Sequence, residues 1–218
     1  MTATTVRAVG GQWYRRTQLS LALATVAGAA LLVVGDVDPV NQMLSESIST
    51  VPGAVLLVLA SCGLAAAGVW LLAGVRRAFP PDGLTGLLTV LIGAWPVSLI
   101  ALAVFPTNLS GTEPGVAAVV HRGAAGVMAV LPPLFALLVA HLAGRRASTG
   151  RVRALRAAGW SAVVACLVFA LVNGPAVLLD QGLPAYAGLA ERILLALVLV
   201  VVGLCAWVLE AEEGSRWS

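Results

Sequence analysis

The sequence predicts an all-α polytopic membrane protein, a six-transmembrane-helix bundle made of three up-down hairpins. Three observations lead there. Hydrophobic residues make up 60% of the chain and charged residues 11%, far from the balance of a soluble domain. Mean hydropathy is +0.97. The apolar residues gather into six runs, each of about the length a helix needs to cross a bilayer. Backbone N–H and C=O groups in hydrocarbon must be satisfied within the protein, so such runs are helices. A barrel would need alternation of polar and apolar residues, which the runs lack.

Taken in order, residues 1–17 form a polar cytoplasmic segment in which Arg7, Arg15 and Arg16 precede the first apolar run. That arrangement resembles the start of a signal peptide. The run over 18–35 is nevertheless long enough to span, and no cleavage site precedes Asp36, so a retained first helix is expected. Further spans are expected at 51–75, 83–105, 118–143, 157–179 and 186–209. Arg76-Arg77-Ala78-Phe79-Pro80-Pro81-Asp82 separates the second from the third, and Arg145 to Arg156 the fourth from the fifth. The expected organisation is thus a transmembrane domain over 18–209 and a cytoplasmic tail over 210–218.

Orientation follows from the positive charges, all of them arginine. Eleven of the 13, namely Arg7, Arg15, Arg16, Arg76, Arg77, Arg145, Arg146, Arg151, Arg153, Arg156 and Arg216, fall on one side of the predicted spans. Only Arg122 and Arg192 fall on the other, with Asp36, Asp38, Glu46, Glu113, Asp180 and Glu191. The positive-inside rule puts both termini in the cytoplasm. Arginine without lysine, amid abundant Ala, Gly, Val and Leu, suggests a GC-rich bacterial genome and hence a bacterial inner (plasma) membrane. Cys62, Cys166 and Cys205 lie in apolar runs without metal-ligand spacing, so each is expected to pack as a small apolar group, with no metal or cofactor.

The spans that run inward start beside Ser45-Glu46-Ser47, His121-Arg122 and Glu191-Arg192. Charge at the mouth of an apolar helix is costly, which makes these residues candidates for function. Helix N-termini also favour anions. Pro96, Pro132-Pro133 and Asn173-Gly174-Pro175 lie within spans and are expected to kink them and free carbonyls, which could leave an interior cavity; the alternative for any single proline is that Pro is simply common in transmembrane helices.

These motifs resemble the DUF998 family of small bacterial integral membrane proteins. The likeness is carried by Asp38 and Ser45-Glu46 in the first outer loop and by Phe105-Pro106-Thr107-Asn108 ending the third span. His121 opening the fourth span and Glu191-Arg192 opening the sixth complete it, over about residues 18–209. In such proteins an Asp often stands where this chain has Asn108. The resemblance implies a topology and candidate residues, but no activity.

Each candidate has a functional and a structural reading. Glu46, His121 and Glu191 are the candidate catalytic groups, a carboxyl folded against apolar helix ends being a Brønsted acid and imidazole a base near neutrality. The alternatives are a solvated acidic loop and a histidine capping a helix start. His141 lies roughly 30 Å along the same helix from His121, so the two cannot share one haem iron. Arg122 and Arg192 could hold a phosphate or carboxylate bidentately, or pair with Glu46, Glu113 or Glu191. Since neighbours on a helix point about 100° apart, Glu191 and Arg192 are expected to face different surroundings.

Among the remaining candidates for substrate binding, Asp38 lies in a loop of about fifteen residues, long enough to suspect function. Trp95, mid-span beside Pro96, offers an aromatic face to a cation or to the core. Asn108 and Asn173 are uncharged polar groups near the same end. Asn173 is expected chiefly to satisfy carbonyls freed by Pro175.

The expected partner is a membrane lipid or amphiphilic small molecule rather than nucleic acid, and the oligomeric state stays open. One reading is an enzyme acting on an isoprenoid or lipid by acid/base chemistry at a polar outer mouth, such as a proton-initiated cyclase. Another is a non-catalytic module for lipid binding or membrane-complex assembly. A small transporter is third, since few charges lie deep in the spans and no inverted repeat shows.

Overall fold

The computed structural model describes residues 11–34, 36–108, 115–146, 149–178 and 184–215. Six helices long and apolar enough to cross a membrane occupy most of them. They are α1 (Gln12–Val34), α2 (Val51–Ala78), α3 (Gly83–Val104), α4 (Val116–Gly144), α5 (Gly150–Leu178) and α6 (Ala187–Ser215), with a short 3₁₀ helix, Leu44–Ser49, ahead of α2. Side chains cap three of the starts. Thr50 accepts from Gly53 N at 3.1 Å, Asp82 from Thr85 N at 2.7 Å and Thr149 from Val152 N at 3.3 Å, each taking up an N–H that the helix leaves orphaned.

Successive helices pack on one another, and α6 also touches α1, α2 and α4. Its buried residues Val198, Val201, Val202, Cys205, Ala206 and Leu209 form a broad apolar stripe, as a central helix requires. Small residues set the close approaches. Gly63 meets Ala24, and Gly74 lies under the Trp13 ring, which places the start of α1 beside the end of α2.

The helices extend beyond their apolar runs. Trp13 and Thr17, expected in the polar N-terminal segment, are buried within α1. At the other extreme α6 continues to Ser215. The extra turns are held by polar contacts at one end of the bundle. Trp13 Nε1 donates to Glu213 Oε2 at 2.7 Å, and Arg146 Nη1 donates to Glu212 Oε2 at 3.1 Å and to the Ala78 carbonyl at 3.1 Å. Arg16 lies over Trp70 and Arg151 over Trp207, each 4.4 Å from the ring centroid. The described arginines of the α1 and α5 starts and of the α2 and α4 ends share this end.

Pro132 and Pro133 lack the N–H groups that would bond the carbonyls four residues back, those of Met128 and Ala129. Neighbouring helices supply the donors instead. Trp95 Nε1 on α3 reaches Met128 O at 3.0 Å, and Cys166 Sγ on α5 reaches Ala129 O at 3.3 Å. Trp95 is fully buried, edge-on to Phe135 with ring centroids 5.9 Å apart, and Gly68 leaves room for it. It therefore packs in the core rather than facing a cavity. The cysteines differ from one another as well: Cys205 is buried, Cys166 half-buried and Cys62 exposed on the bundle surface.

Replacing Trp95 by Phe keeps most of the apolar volume but strips Met128 O of its donor. We expect Trp95→Phe to lower the unfolding free energy in detergent by about 1–2 kcal/mol. Denaturant titration followed by circular dichroism measures this, and an unchanged midpoint would show that the carbonyl finds another donor.

Candidate functional site

At the opposite end of the bundle, the loop between α1 and α2 folds over the start of α6. Asp38 begins the fold by organising its own turn. Its Oδ1 accepts from Val40 N at 2.8 Å and Asn41 N at 3.3 Å, and its Oδ2 from Asn41 Nδ2 at 2.7 Å. Short polar side chains commonly build such turns. The Asn41 amide and then the Val40 N–H, with a smaller contribution from Arg192, hold the Asp38 carboxyl below the usual aspartate value. Gln42 Oε1 closes the turn by accepting from Asp38 N at 2.6 Å.

Glu46 works in the same way one step further on. Its Oε1 accepts from Met43 N at 3.1 Å, and its Oε2 from Gln42 Nε2 at 3.4 Å. The first of these is the backward half of a capping box, which fixes the start of the 3₁₀ helix.

Four contacts then tie the loop to α6. Leu189 N donates to Val40 O at 2.9 Å, and Tyr186 N to Asn41 Oδ1 at 3.2 Å. Leu44 N donates to Glu191 Oε2 at 2.6 Å, and Arg192 Nη1 to Gln42 O at 2.9 Å. Gly188 lies directly beneath the Gln42 carbonyl, where a Cβ would overlap it. Tyr186, the residue before the helix, has φ 68°. For a bulky side chain that left-handed conformation costs roughly 1–3 kcal/mol and persists only where surrounding contacts hold it.

Asp38, Glu46, Glu191 and Arg192 thus belong to one assembly, a clasp between loop and helix. Glu191 and Arg192, expected to face different surroundings, both reach the same loop. The loop wraps the helix start, and the two long side chains meet it at Leu44 and Gln42. Arg192 has a backbone partner where a carboxylate was expected, and its Nε and Nη2 atoms are buried without a hydrogen-bond partner among the described residues.

His121 and Arg122, in the second turn of α4, belong to a second set that bonds the end of α3 and the residues after it. His121 is 5% exposed, and its Nδ1 lies 2.7 Å from Phe105 O. A carbonyl accepts only, so Nδ1 carries a proton and donates it to Phe105 O. Arg122 Nη2 donates to Asn108 Oδ1 at 3.0 Å, again an amide in place of a carboxylate. Glu113, the other expected partner, lies outside the described residues. The bonds named for this set and for the clasp share no residue.

Asn173 is 2% exposed. Its Nδ2 donates to Phe169 O at 3.0 Å, four residues back on its own helix. It does not serve the Leu171 carbonyl that Pro175 frees, and its Oδ1 is buried without a partner among the described residues. On α5 it follows Gly159 and Cys166 at intervals of seven, and those two face Leu137 and Ala129 of α4. Continuing that register brings Asn173 level with Arg122 (about two helical turns per seven residues).

Sequence reasoning passed over Asn41, Gln42, Tyr186 and Gly188. The polar Asn41-Gln42 pair in a long loop was an available signal for the first two. Nothing local marks Gly188, whose role depends on a loop about 150 residues earlier in the chain.

A family model described as protein of unknown function (DUF998) matches residues 18–208. No curated protein and no solved structure matches the chain.

The clasp makes a direct prediction at Gly188. Gly188→Ala puts a methyl group against Gln42 O and 2.7 Å from Arg192 Nη1, an overpacking worth about 1–3 kcal/mol. Amides 40–46 should then exchange with deuterium at least tenfold faster while α2–α5 keep their protection. Equal exchange in both proteins would mean that the loop is not held on α6.

Proposed function

We propose a function from the premise that this chain belongs to the DUF998 family: it is a non-catalytic multi-pass module that binds a membrane lipid. The observation that carries this reading is how the candidate acid/base groups are used. Glu46 accepts from Met43 N, Glu191 from Leu44 N, and His121 bonds Phe105 O. Each bonds a backbone group at a helix end or in the loop, a contact worth about 0.5–1.5 kcal/mol. A proton-initiated cyclase would need a carboxyl free to protonate substrate and an aromatic face open to a cation. Trp95 instead spends its N–H on Met128 and its ring on Phe135.

One observation favours the enzymatic alternative. A histidine whose Nδ1–H is fixed by a carbonyl presents Nε2 as a base, with Arg122 as its neighbour in sequence to hold a head group. Lipid profiling separates the two readings. Membranes from cells expressing the wild type and His121→Gln should have the same lipid complement by mass spectrometry. A species gained or consumed only with the wild type would overturn the non-catalytic reading in favour of His121 chemistry.

The same proposal places the protein in a bacterial plasma membrane with the arginine-rich end in the cytoplasm, because eleven of 13 arginines share that side of the predicted spans. In a cysteine-free background, Arg153→Cys should be shielded from a membrane-impermeant maleimide in intact cells, and Asp38→Cys should react. The opposite pattern would invert the topology.

A further inference from the structure

A cleft of about 670 Å³ lies at the arginine-rich end, between the start of α5 and the last turns of α6. Arg146, Thr149, Arg151, Trp207, Val208 and Glu212 are among its lining residues. Its volume falls in the range that holds a small ligand. We propose that this cleft binds the phosphate head group of an anionic membrane lipid, which rests on the lipid-binding reading and gives it a site and a ligand class.

Three features converge on that ligand. The first is charge. Arg146 and Arg151 line the cleft; Glu212 pairs with Arg146 at 3.1 Å, and Glu210, on the same last turns of α6, interacts electrostatically with Arg151. Arg145 and Arg153, both exposed, stand immediately beside the lining residues in sequence. A basic pocket between helix ends at the head-group level suits an anionic lipid.

The second is the geometry of Arg151. Its guanidinium lies 4.4 Å over the Trp207 ring. Stacking engages the flat face of the group and leaves its N–H edge, the fork that matches a phosphate. Thr149 and Gly150 line the same cleft, so the positive end of a 29-residue helix lies there too, with its Val152 N–H already taken by Thr149.

The third decides between a lipid and a free anion. Trp207 is partly exposed, and Val200 and Ile193 follow it along α6 at intervals of seven residues, 52% and 53% exposed. Seven residues are about two helical turns, so all three share one face. An apolar track therefore leads from the cleft toward the opposite end of the bundle, where an acyl chain would lie. Inorganic phosphate would gain nothing from it.

Native mass spectrometry of the full chain in mild detergent tests this, with phosphatidylglycerol and phosphatidylcholine of identical acyl chains and, separately, inorganic phosphate. The wild type should retain phosphatidylglycerol about tenfold more tightly than phosphatidylcholine, a preference equivalent to about 1.4 kcal/mol. Arg151→Gln should abolish that preference. Arg151→Lys, which keeps charge but not the fork, should keep only part of it. Arg153→Gln removes a charge from the same end outside the lining and should change it less than twofold. Unchanged thermal unfolding of the variants establishes that they are folded.

If Arg151→Gln and Arg153→Gln weaken phosphatidylglycerol equally, the attraction is a property of the whole basic surface; the cleft proposal falls while lipid binding stands. Displacement of the lipid by millimolar inorganic phosphate would identify an anion site and also overturn the proposal. A wild type that retains neither lipid would overturn the proposal together with the lipid-binding reading on which it rests.

Discussion

The bundle depends on one constraint: polar backbone groups surrounded by apolar atoms must find partners inside the protein. Pro132 and Pro133 put that constraint under most strain, because together they free two adjacent carbonyls in the middle of α4. The indole N–H of Trp95 and the thiol of Cys166 come from helices on either side to fill the two positions. Those contacts pin α3 and α5 against α4 at one level. Around them the packing is ordinary, with small residues such as Gly68 and Gly159 admitting larger neighbours.

The same constraint explains the polar end of the molecule. The chain between α1 and α2 is too polar to enter a bilayer and too long to be a simple turn. It condenses on the start of α6, where Asp38 and Glu46 organise its turns and Glu191 and Arg192 fasten it to the helix. The carboxylates are where backbone N–H groups need acceptors. Their placement accounts for the cost of setting charge at these helix mouths. The clasp still carries tension, since Tyr186 is held left-handed and two nitrogens of Arg192 are buried without partners among the described residues.

The arginine-rich end is built differently. There, aromatic rings and carboxylates organise the guanidinium groups: Arg16 lies on Trp70, Arg151 on Trp207, and Arg146 between Phe79 and Glu212. Long side chains arranged this way cover helix ends and keep positive charge at head-group height. The two ends thus have different tasks. One locks a loop onto the central helix, and the other presents cations beside apolar surface.

The six spanning helices of the described residues, their approximate limits and the polar residues at their ends were legible in the chain, because hydropathy and charge act locally along it. Hydropathy placed the span edges short at Trp13 and Glu213, because it cannot register that an indole and a carboxylate 200 residues apart will bond. Of the nine candidate residues, Asp38, Glu46, Glu191 and Arg192 meet in one clasp, while His121, Arg122, Asn108, Asn173 and Trp95 have their named bonds elsewhere. Their roles were not legible, since a carboxylate at a helix mouth looks the same whether it meets a substrate or Leu44 N. Only the tertiary structure decided that Trp95 answers Pro132, that Glu191 and Arg192 share one loop, and that His121 bonds Phe105. Each of these is a pairing between distant positions, and a hydrogen bond is decided by a few tenths of an ångström that no local pattern in the chain encodes.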